Sequence, residues 1–104
     1  MYIIVDAWHY SHFKDMKIEL KKFGNLLTSR QDGREALAAI NPQFRTLTER
    51  EKIDIDFEGV ITFTPSWADE FITKLLDQFG DRVTLSNTSN PSVQATLDLL
   101  KELN

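Results

Sequence analysis

The 104-residue chain has no cysteine and little glycine (4) or proline (3). Without cysteine it cannot form disulfides, thiolate metal sites or a cysteine nucleophile. The four glycines are scattered, so the glycine-rich loops GxGxxG and GxxxxGK[ST], which hold phosphate groups, are both absent. No apolar run approaches the roughly 20 residues that a membrane-spanning helix needs. The N-terminus also lacks the basic start and apolar core of a secretory signal. These absences predict a soluble domain of the cytoplasm, with no membrane partner and no cofactor.

Positive charge is also scarce. Twelve Lys and Arg residues stand against sixteen Asp and Glu residues, which gives a net charge of −4. Nucleic-acid binding depends on clustered cations. The cations near the first predicted strand and helix are scattered, and we interpret them as ordinary surface charge: Lys17, Lys21, Lys22, Arg30 and Arg34. The sequence therefore predicts no nucleic-acid partner.

The first fifteen residues differ from the rest of the chain. They hold both histidines, both tyrosines and one of the two tryptophans, and Met16 then reads like a natural domain start. We predict that residues 1–15 are an N-terminal extension, either an edge strand or a remnant of expression, and that residues 16–104 form one domain. His9 and His12 could bind a metal only if this segment were helical and a third ligand approached. We interpret them as surface histidines and predict no metal site.

Periodicity predicts the elements of the domain. Alternating apolar residues in 16–23, 52–63 and 82–87 are typical of strands, and residues 26–28 can form a further short strand. Apolar stripes at helical spacing in 33–40, 65–79 and 91–103 predict three helices. Strands separated by helices indicate crossover connections. The predicted fold class is α/β, with a mixed, mostly parallel sheet and helices packed against it.

The start of the second helix carries the main candidate site, Thr64-Pro65-Ser66-Trp67. Threonine is a good N-cap, and proline fits the first helical position. Ser66 then lies in the first turn, where the helix dipole favours a phosphate group. Asp69 follows three residues later and would repel that phosphate. Two questions stay open. Ser66 is either a phosphorylation site or only a residue that helps to cap the helix. Trp67 is either the edge of the core or an anchor for a partner.

Asp54 and Asp56 alternate along the long strand and therefore share one of its faces. They are either a carboxylate pair or simply the solvated face of the strand. Catalysis needs a nucleophile with its base, paired carboxylates or metal ligands that converge on a pocket. Nothing in the sequence requires catalysis, and we predict that the protein is not an enzyme.

The segment from Ile53 to Asn87 resembles a STAS domain, the fold of bacterial anti-sigma factor antagonists. In those proteins a strand reads apolar-Asp-apolar-Ser-Gly-Val, and Asp-Ser-Ser-Gly then opens a helix. Residues 56–60 (DFEGV) match the strand, and residues 64–67 (TPSW) fall at the helix start. The resemblance is closer to an uncharacterised bacterial STAS-like group, through residues 27–37, 53–60, 66–70 and 82–87. It covers about residues 16–103.

This resemblance implies a regulatory protein-binding module. The implied partner is an ATP-binding protein of the histidine-kinase-type ATPase fold, which binds the unphosphorylated domain and releases it on phosphorylating a serine, here Ser66. Thr64 and Pro65 stand where the family has Asp and Ser, and Trp67 stands where it has Gly. The aspartate that assists phosphorylation is thus missing from its usual place, and Asp69 and Asp56 are both candidates to replace it.

We expect the binding face at the start of the second helix, with an exposed Trp67 as its anchor. In open α/β sheets, ligands bind at the carboxyl ends of the strands, so other polar residues are expected at the same face. The predicted partner-binding residues are Trp67, Asp69, Glu70, Asp56, Ser29, Arg30 and Asn87. A homodimer is left open. The alternative is a small-ligand-binding or catalytic α/β domain that uses Asp56, Ser66 and Asn87 around a pocket.

Overall fold

A computed structural model describes residues 15–103. Within this range the chain forms five strands and three α-helices. The strands are β1 (Met16–Glu19), β2 (Leu26–Leu27), β3 (Ile53–Asp56), β4 (Thr62–Phe63) and β5 (Val83–Ser86). The α-helices are α1 (Arg30–Ile40), α2 (Pro65–Phe79) and α3 (Pro91–Leu103), and 3₁₀ turns cover Leu20–Phe23, Asn41–Thr46 and Gly80–Arg82. His9 and His12, and the predicted extension apart from Asp15, lie outside the described residues.

The strands pair only in parallel within the described chain. One sheet has the order β1-β3-β5, and β2 pairs with β4 in a second sheet. In the three-stranded sheet Ile18, Ile55 and Leu85 lie side by side, so one face is apolar. Asp54 and Thr84 are partners on the other face, which is polar. This arrangement confirms the predicted α/β class with a mostly parallel sheet.

The stretch 52–63, whose strand pattern Gly59 interrupts, forms two strands rather than one long strand. β3 ends at Asp56, whose Oδ1 accepts a hydrogen bond from the backbone N–H of Glu58 at 2.9 Å. The Val60 N–H then donates to the Phe57 carbonyl at 3.1 Å, and Gly59 takes a φ of +83°. Such a φ favours glycine, so the chain turns here and starts β4 in the other sheet.

β4 is held by side chains on the edge that β2 does not occupy. Ser92 Oγ accepts from the Phe63 N–H at 2.9 Å and lies 3.2 Å from the Phe63 carbonyl. The buried Thr96 hydroxyl donates to the same carbonyl at 2.6 Å. Two residues of α3 therefore satisfy backbone groups that a further strand would otherwise pair.

The starts of α2 and α3 are where the sequence predicts them, and α1 starts at Arg30, three residues before the predicted stretch 33–40. Ser29 Oγ accepts from the Asp32 N–H at 3.0 Å, and Thr64 Oγ1 accepts from the Trp67 N–H at 3.5 Å. Asn90 Oδ1 accepts from the first turn of α3 at 2.8 and 3.1 Å. These side chains satisfy N–H groups that a helix leaves unpaired at its start.

The apolar stripes of the helices and the inner faces of the strands form one core. Its largest fully buried side chains include those of Trp67, Phe57, Phe63 and Phe71. Phe57 and Phe63 pack edge to face at 5.1 Å between ring centroids, a favourable geometry for aromatic pairs. Among the described residues no helix is both long enough and apolar enough to span a bilayer.

The loop that leads into β3 is held by Arg82, which lies immediately before β5. Arg82 Nη2 donates to the Thr48 carbonyl at 2.6 Å, and Arg82 Nε donates to the Glu51 carbonyl at 3.0 Å. Its guanidinium also lies 5.3 Å from the centre of the Phe79 ring. These contacts tie the amino-terminal end of the sheet to the end of α2.

Candidate functional site

The N-terminal ends of α1 and α2 lie side by side. The Thr64 N–H donates to the Leu27 carbonyl at 3.1 Å, and the Thr64 hydroxyl donates to the Thr28 carbonyl at 2.7 Å. One turn into α1, Gly33 approaches the backbone of Trp67 so closely that a Cβ on Gly33 would lie 2.6 Å from the Trp67 carbonyl oxygen. Real Cβ atoms do not come this close to an oxygen. Glycine therefore permits the contact that sets the two helix starts together.

Arg30 bridges the two helices. Its Nη1 donates to Asp69 Oδ2 at 2.8 Å and to Glu70 Oε1 at 2.9 Å, and Arg34 Nη2 lies 3.7 Å from the same Glu70 oxygen. The hydrogen bond from Arg30 is the main cause that lowers the pKa of Glu70, with smaller contributions from Arg34 and Lys74. The structure thus brings together three of the predicted binding residues, Arg30, Asp69 and Glu70, in a charged cluster at the surface.

Ser66 lies on the same face of α2 as this cluster. Asp69 and Glu70 follow it at i+3 and i+4, the positions that are neighbours on a helix. Ser66 is half-buried, and its hydroxyl forms no hydrogen bond within residues 15–103. It occupies the second helical position, while Thr64 provides the cap. The alternative in which Ser66 caps the helix is therefore wrong, because the capping oxygen belongs to Thr64.

Trp67 does not have the exposure predicted for an anchor. Only 1% of its surface is exposed, and its ring stacks on Phe71 at 4.8 Å and packs against Phe63 at 5.8 Å. The expectation of an exposed Trp67 is wrong because the core stripe of α2 is broader than the spacing of its aliphatic residues suggested. Trp67 belongs to the core, which was the other alternative.

Asp56 is likewise buried, at 2% exposure, so it is not available for direct contact with a partner. Its Oδ1 accepts from Asn87 Nδ2 at 2.8 Å and from the Glu58 N–H, and its Oδ2 lies 3.4 Å from Lys17 Nζ. The hydrogen bond from Asn87 is the main cause that lowers the pKa of Asp56; the Glu58 N–H and Lys17 act in the same direction, and burial opposes them. Asp56 therefore fastens the ends of β3 and β5 together and is a poor base.

Asn87 sits at a strained backbone position, with a φ of +55°, that asparagine tolerates better than most residues. Its side chain reaches Asp56, so two predicted site residues are in contact. Within the described chain neither hydrogen-bonds to Ser66, the third residue of the ligand-binding or catalytic alternative. Asp54 is engaged by the hydroxyls of Ser86 at 3.2 Å and Thr84 at 3.5 Å. Residues 15–103 contain no group of three or more His, Asp or Glu side chains that could hold a metal ion.

Sequence reasoning missed the residues that connect the two helix starts. Ser29 was predicted to lie at this surface, and it does so as the cap of α1. Thr64 and Gly33 make contacts between the starts of α1 and α2, and such contacts can be predicted only when it is known that these helices are neighbours. The same holds for Arg34 of α1, which lies near Glu70 of α2. One signal was available: GREAL places a glycine inside a helix, where it is costly unless another backbone approaches.

A family model described as "STAS-like domain of unknown function (DUF4325)" matches residues 32–93, which is more than half of the chain. The match includes α1 from Asp32 onward, β3, β4, α2, β5 and the start of α3. Searches of curated proteins and of solved structures found no match. The parallel α/β fold agrees with the family match. The chain belongs to the family of STAS-like domains of unknown function.

Proposed function

We propose that this STAS-like domain is a regulatory protein-binding module, similar to anti-sigma factor antagonists, and that phosphorylation of Ser66 controls its binding. The proposed contact surface consists of Ser29, Arg30, Ser66, Asp69 and Glu70. The proposed partner is an ATP-binding protein of the histidine-kinase-type ATPase fold, which places the complex in the cytoplasm, where ATP is available. In this proposal the domain binds and is modified but does not itself catalyse a reaction.

The observation that carries the proposal is the setting of the Ser66 hydroxyl. It has no hydrogen-bond partner within the described chain, and it lies one helical turn from a cluster of one arginine and two carboxylates. A serine fixed in a cap or in the core would be a poor acceptor of a phosphoryl group. Ser66 is instead partly accessible, at a helix start where added negative charge is favoured.

The charge cluster gives phosphorylation a structural effect. A phosphoserine carries close to two negative charges at neutral pH. These would repel Asp69 and Glu70 and attract the guanidinium of Arg30, which now holds both carboxylates. Arginine forms its strongest pairs with phosphate through two parallel hydrogen bonds. Phosphate on Ser66 would therefore compete for Arg30 and rearrange the same residues that face the partner.

The transfer step uses the partner's nucleotide. The Ser66 Oγ attacks the γ-phosphorus of ATP, so that an O–P bond forms at Ser66 and ADP leaves. The hydroxyl proton passes to a base. Asp69 is the better candidate of the two acids considered for this role, because half of its side chain is exposed beside Ser66. Asp56 is buried and fully engaged elsewhere.

The first test is the modification state of protein isolated from its own cells in several growth phases. Cleavage after lysine releases a peptide of residues 53–74, and its fragment masses distinguish Ser66 from Thr62, Thr64 and Thr73. We expect phosphate on Ser66 in at least one growth phase. If Ser66 is unmodified in every growth phase, the proposal that its phosphorylation controls binding is wrong.

The second test compares variants in partner capture. We expect wild type and Ser66→Ala to retain an ATP-binding protein after cross-linking, and Ser66→Asp to lose it, because a carboxylate mimics part of the phosphate charge. Ser89→Asp is the matched control, since it adds the same charge on an exposed serine in the loop before α3. Equal capture by Ser66→Asp and wild type would contradict the proposed surface.

A further inference from the structure

The flank of α1 that faces away from Arg30 borders a second surface feature, a groove of about 340 Å³ between this helix and the segment that leads through β2. Phe23, Leu26 and Leu27 line one wall, and Ala36 and Ala39 of α1 line the other. The buried ring of Trp67 lies at its base. Asp32, Glu35, Ala36 and Ala39 share one stripe of α1, and Arg30 and Arg34 lie on the opposite side. The groove is therefore separate from the Ser66 surface.

The groove includes apolar side chains that the rest of residues 15–103 leaves exposed. Leu26 has 60% of its surface exposed although it lies in a strand, and β2 pairs only with β4 in the described chain. Phe23 is half-buried and contacts the rings of Trp67 and Phe71 at 6.4 and 5.7 Å. An exposed leucine beside a partly exposed aromatic ring offers a small apolar surface that a partner's side chains can cover.

The rim of the groove is negative and unpaired. Asp32 and Glu35 line it, and neither forms an ion pair with another of residues 15–103. Glu35 only accepts a hydrogen bond from Gln31 at 3.1 Å. By contrast, Asp69 and Glu70 on the neighbouring surface both form ion pairs with Arg30. Two uncompensated carboxylates beside the exposed Leu26 favour a ligand that carries positive charge as well as apolar side chains.

We propose that this groove is a docking site for a short peptide segment of a partner protein that carries apolar side chains next to Lys or Arg. The apolar side chains pack on Leu26 and on the half-buried Phe23, and the cations pair with Asp32 and Glu35. This second contact goes beyond the Ser66 switch and does not depend on it. It gives the domain a way to select a partner by charge as well as by fold.

The test uses a phage-displayed library of random 12-residue peptides, selected on the immobilised wild-type domain. We expect enriched peptides that combine Lys or Arg with large apolar residues. The strongest is then synthesised with a fluorescent label, and its affinity is measured by fluorescence polarisation. We expect a loss of about tenfold in the double variant Asp32→Asn with Glu35→Gln and a loss of similar size in Leu26→Ser. Binding should also weaken as salt is raised, because the pairs lie at the surface.

The matched control is the double variant Asp98→Asn with Glu102→Gln, which removes the same charge from the exposed side of α3 and should bind as wild type. Ser66→Asp should also leave peptide affinity unchanged, so the two proposals can fail separately. Absence of enriched peptides, peptides without excess positive charge, or equal binding by the Asp32 and Glu35 double variant would each overturn the proposal. So would concentration-dependent dimerisation that Leu26→Ser removes, because a second copy of the chain would then occupy the groove.

Discussion

Gly33 in α1 lies against the backbone of Trp67 in α2, and nothing larger than a hydrogen fits between them. A Cβ at Gly33 would lie 2.6 Å from the Trp67 carbonyl oxygen and 3.2 Å from its Cα. Both are backbone atoms in the first turn of a packed helix, so they cannot rotate away. The two helices that carry the candidate surface are thus in contact through a residue without a side chain.

We therefore predict that Gly33→Ala destabilises the domain. In an open helix, alanine is more favourable than glycine by about 1 kcal/mol. Overpacking usually costs about 1–3 kcal/mol, and a backbone clash falls at the upper end. The net effect should be a loss of about 1–2 kcal/mol in the free energy of unfolding, measured by urea titration.

The control for this prediction is Ala38→Gly, an exposed position of the same helix. There the change to glycine should itself destabilise the domain by about 1 kcal/mol. Glycine would then be the better residue at 33 and the worse one at 38. At an open position such as 38, alanine is expected to be more stable than glycine. If Gly33→Ala likewise stabilises the domain, the close approach of α1 and α2 at Gly33 is contradicted.

The Asp56–Asn87 contact predicts a specific pH dependence. The pKa of Asp56 is lower in the folded chain than its ordinary value, chiefly through the hydrogen bond from Asn87. Its contribution to stability is complete above the pKa of the unfolded chain, about 4, and is lost as the pH falls through the lower, folded pKa. Asp56→Asn should therefore be less stable than wild type at pH 7 and should lose less stability on acidification below about pH 4.

Asn87→Gly tests the same contact from the other side, because glycine tolerates the positive φ while removing the amide donor. We expect a loss of about 1–3 kcal/mol, typical of a hydrogen bond to a buried charged group. The pKa of Asp56, followed by NMR of the carboxyl carbon, should rise toward its ordinary value. Asn25→Gly, in an exposed turn, is the control and should leave that pKa unchanged. An Asp56 pKa that is the same in Asn87→Gly and wild type would contradict the assignment.

Trp67 should behave as a core residue. Trp67→Ala is expected to cost about 3–5 kcal/mol, much of the stability of a domain this small. A loss of partner binding in that variant would therefore report unfolding rather than a lost contact. In a Trp8→Phe background, where Trp67 is the one remaining tryptophan, its fluorescence should be blue-shifted and protected from acrylamide. Emission as red and as easily quenched as that of free tryptophan would contradict its burial.

Much of the fold was predictable because it depends on local signals. Thr64-Pro65 at the start of α2 and Asn90-Pro91 at the start of α3 each specify a cap within a few residues, and the helical stripes follow directly. The alternation of Ile53 and Ile55 with the two aspartates likewise gave β3. Gly59 marked an interruption of the strand pattern, but the end of β3 at Asp56 was not predicted, because the Asp56 side chain and Gly59 make the turn and apolar residues continue on both sides of it.

The candidate site was less predictable because it depends on contacts between distant parts of the chain. Ser66, Asp69 and Glu70 could be placed on one helix face from their spacing alone. Arg30 can pair with both acids because α1 packs against α2. The sequence pattern of a single helix does not predict this packing. The burial of Asp56 similarly requires the neighbouring strand and its Asn87.

Arg82 couples the loop before β3 to the segment before β5. The loop between Leu47 and Lys52 receives two of its backbone hydrogen bonds from this one side chain, which lies about thirty residues further along the chain. A local opening of the segment around Arg82 would therefore weaken residues 47–52 as well, so the local stability of the entrance to the central strand depends on a segment that is distant in sequence.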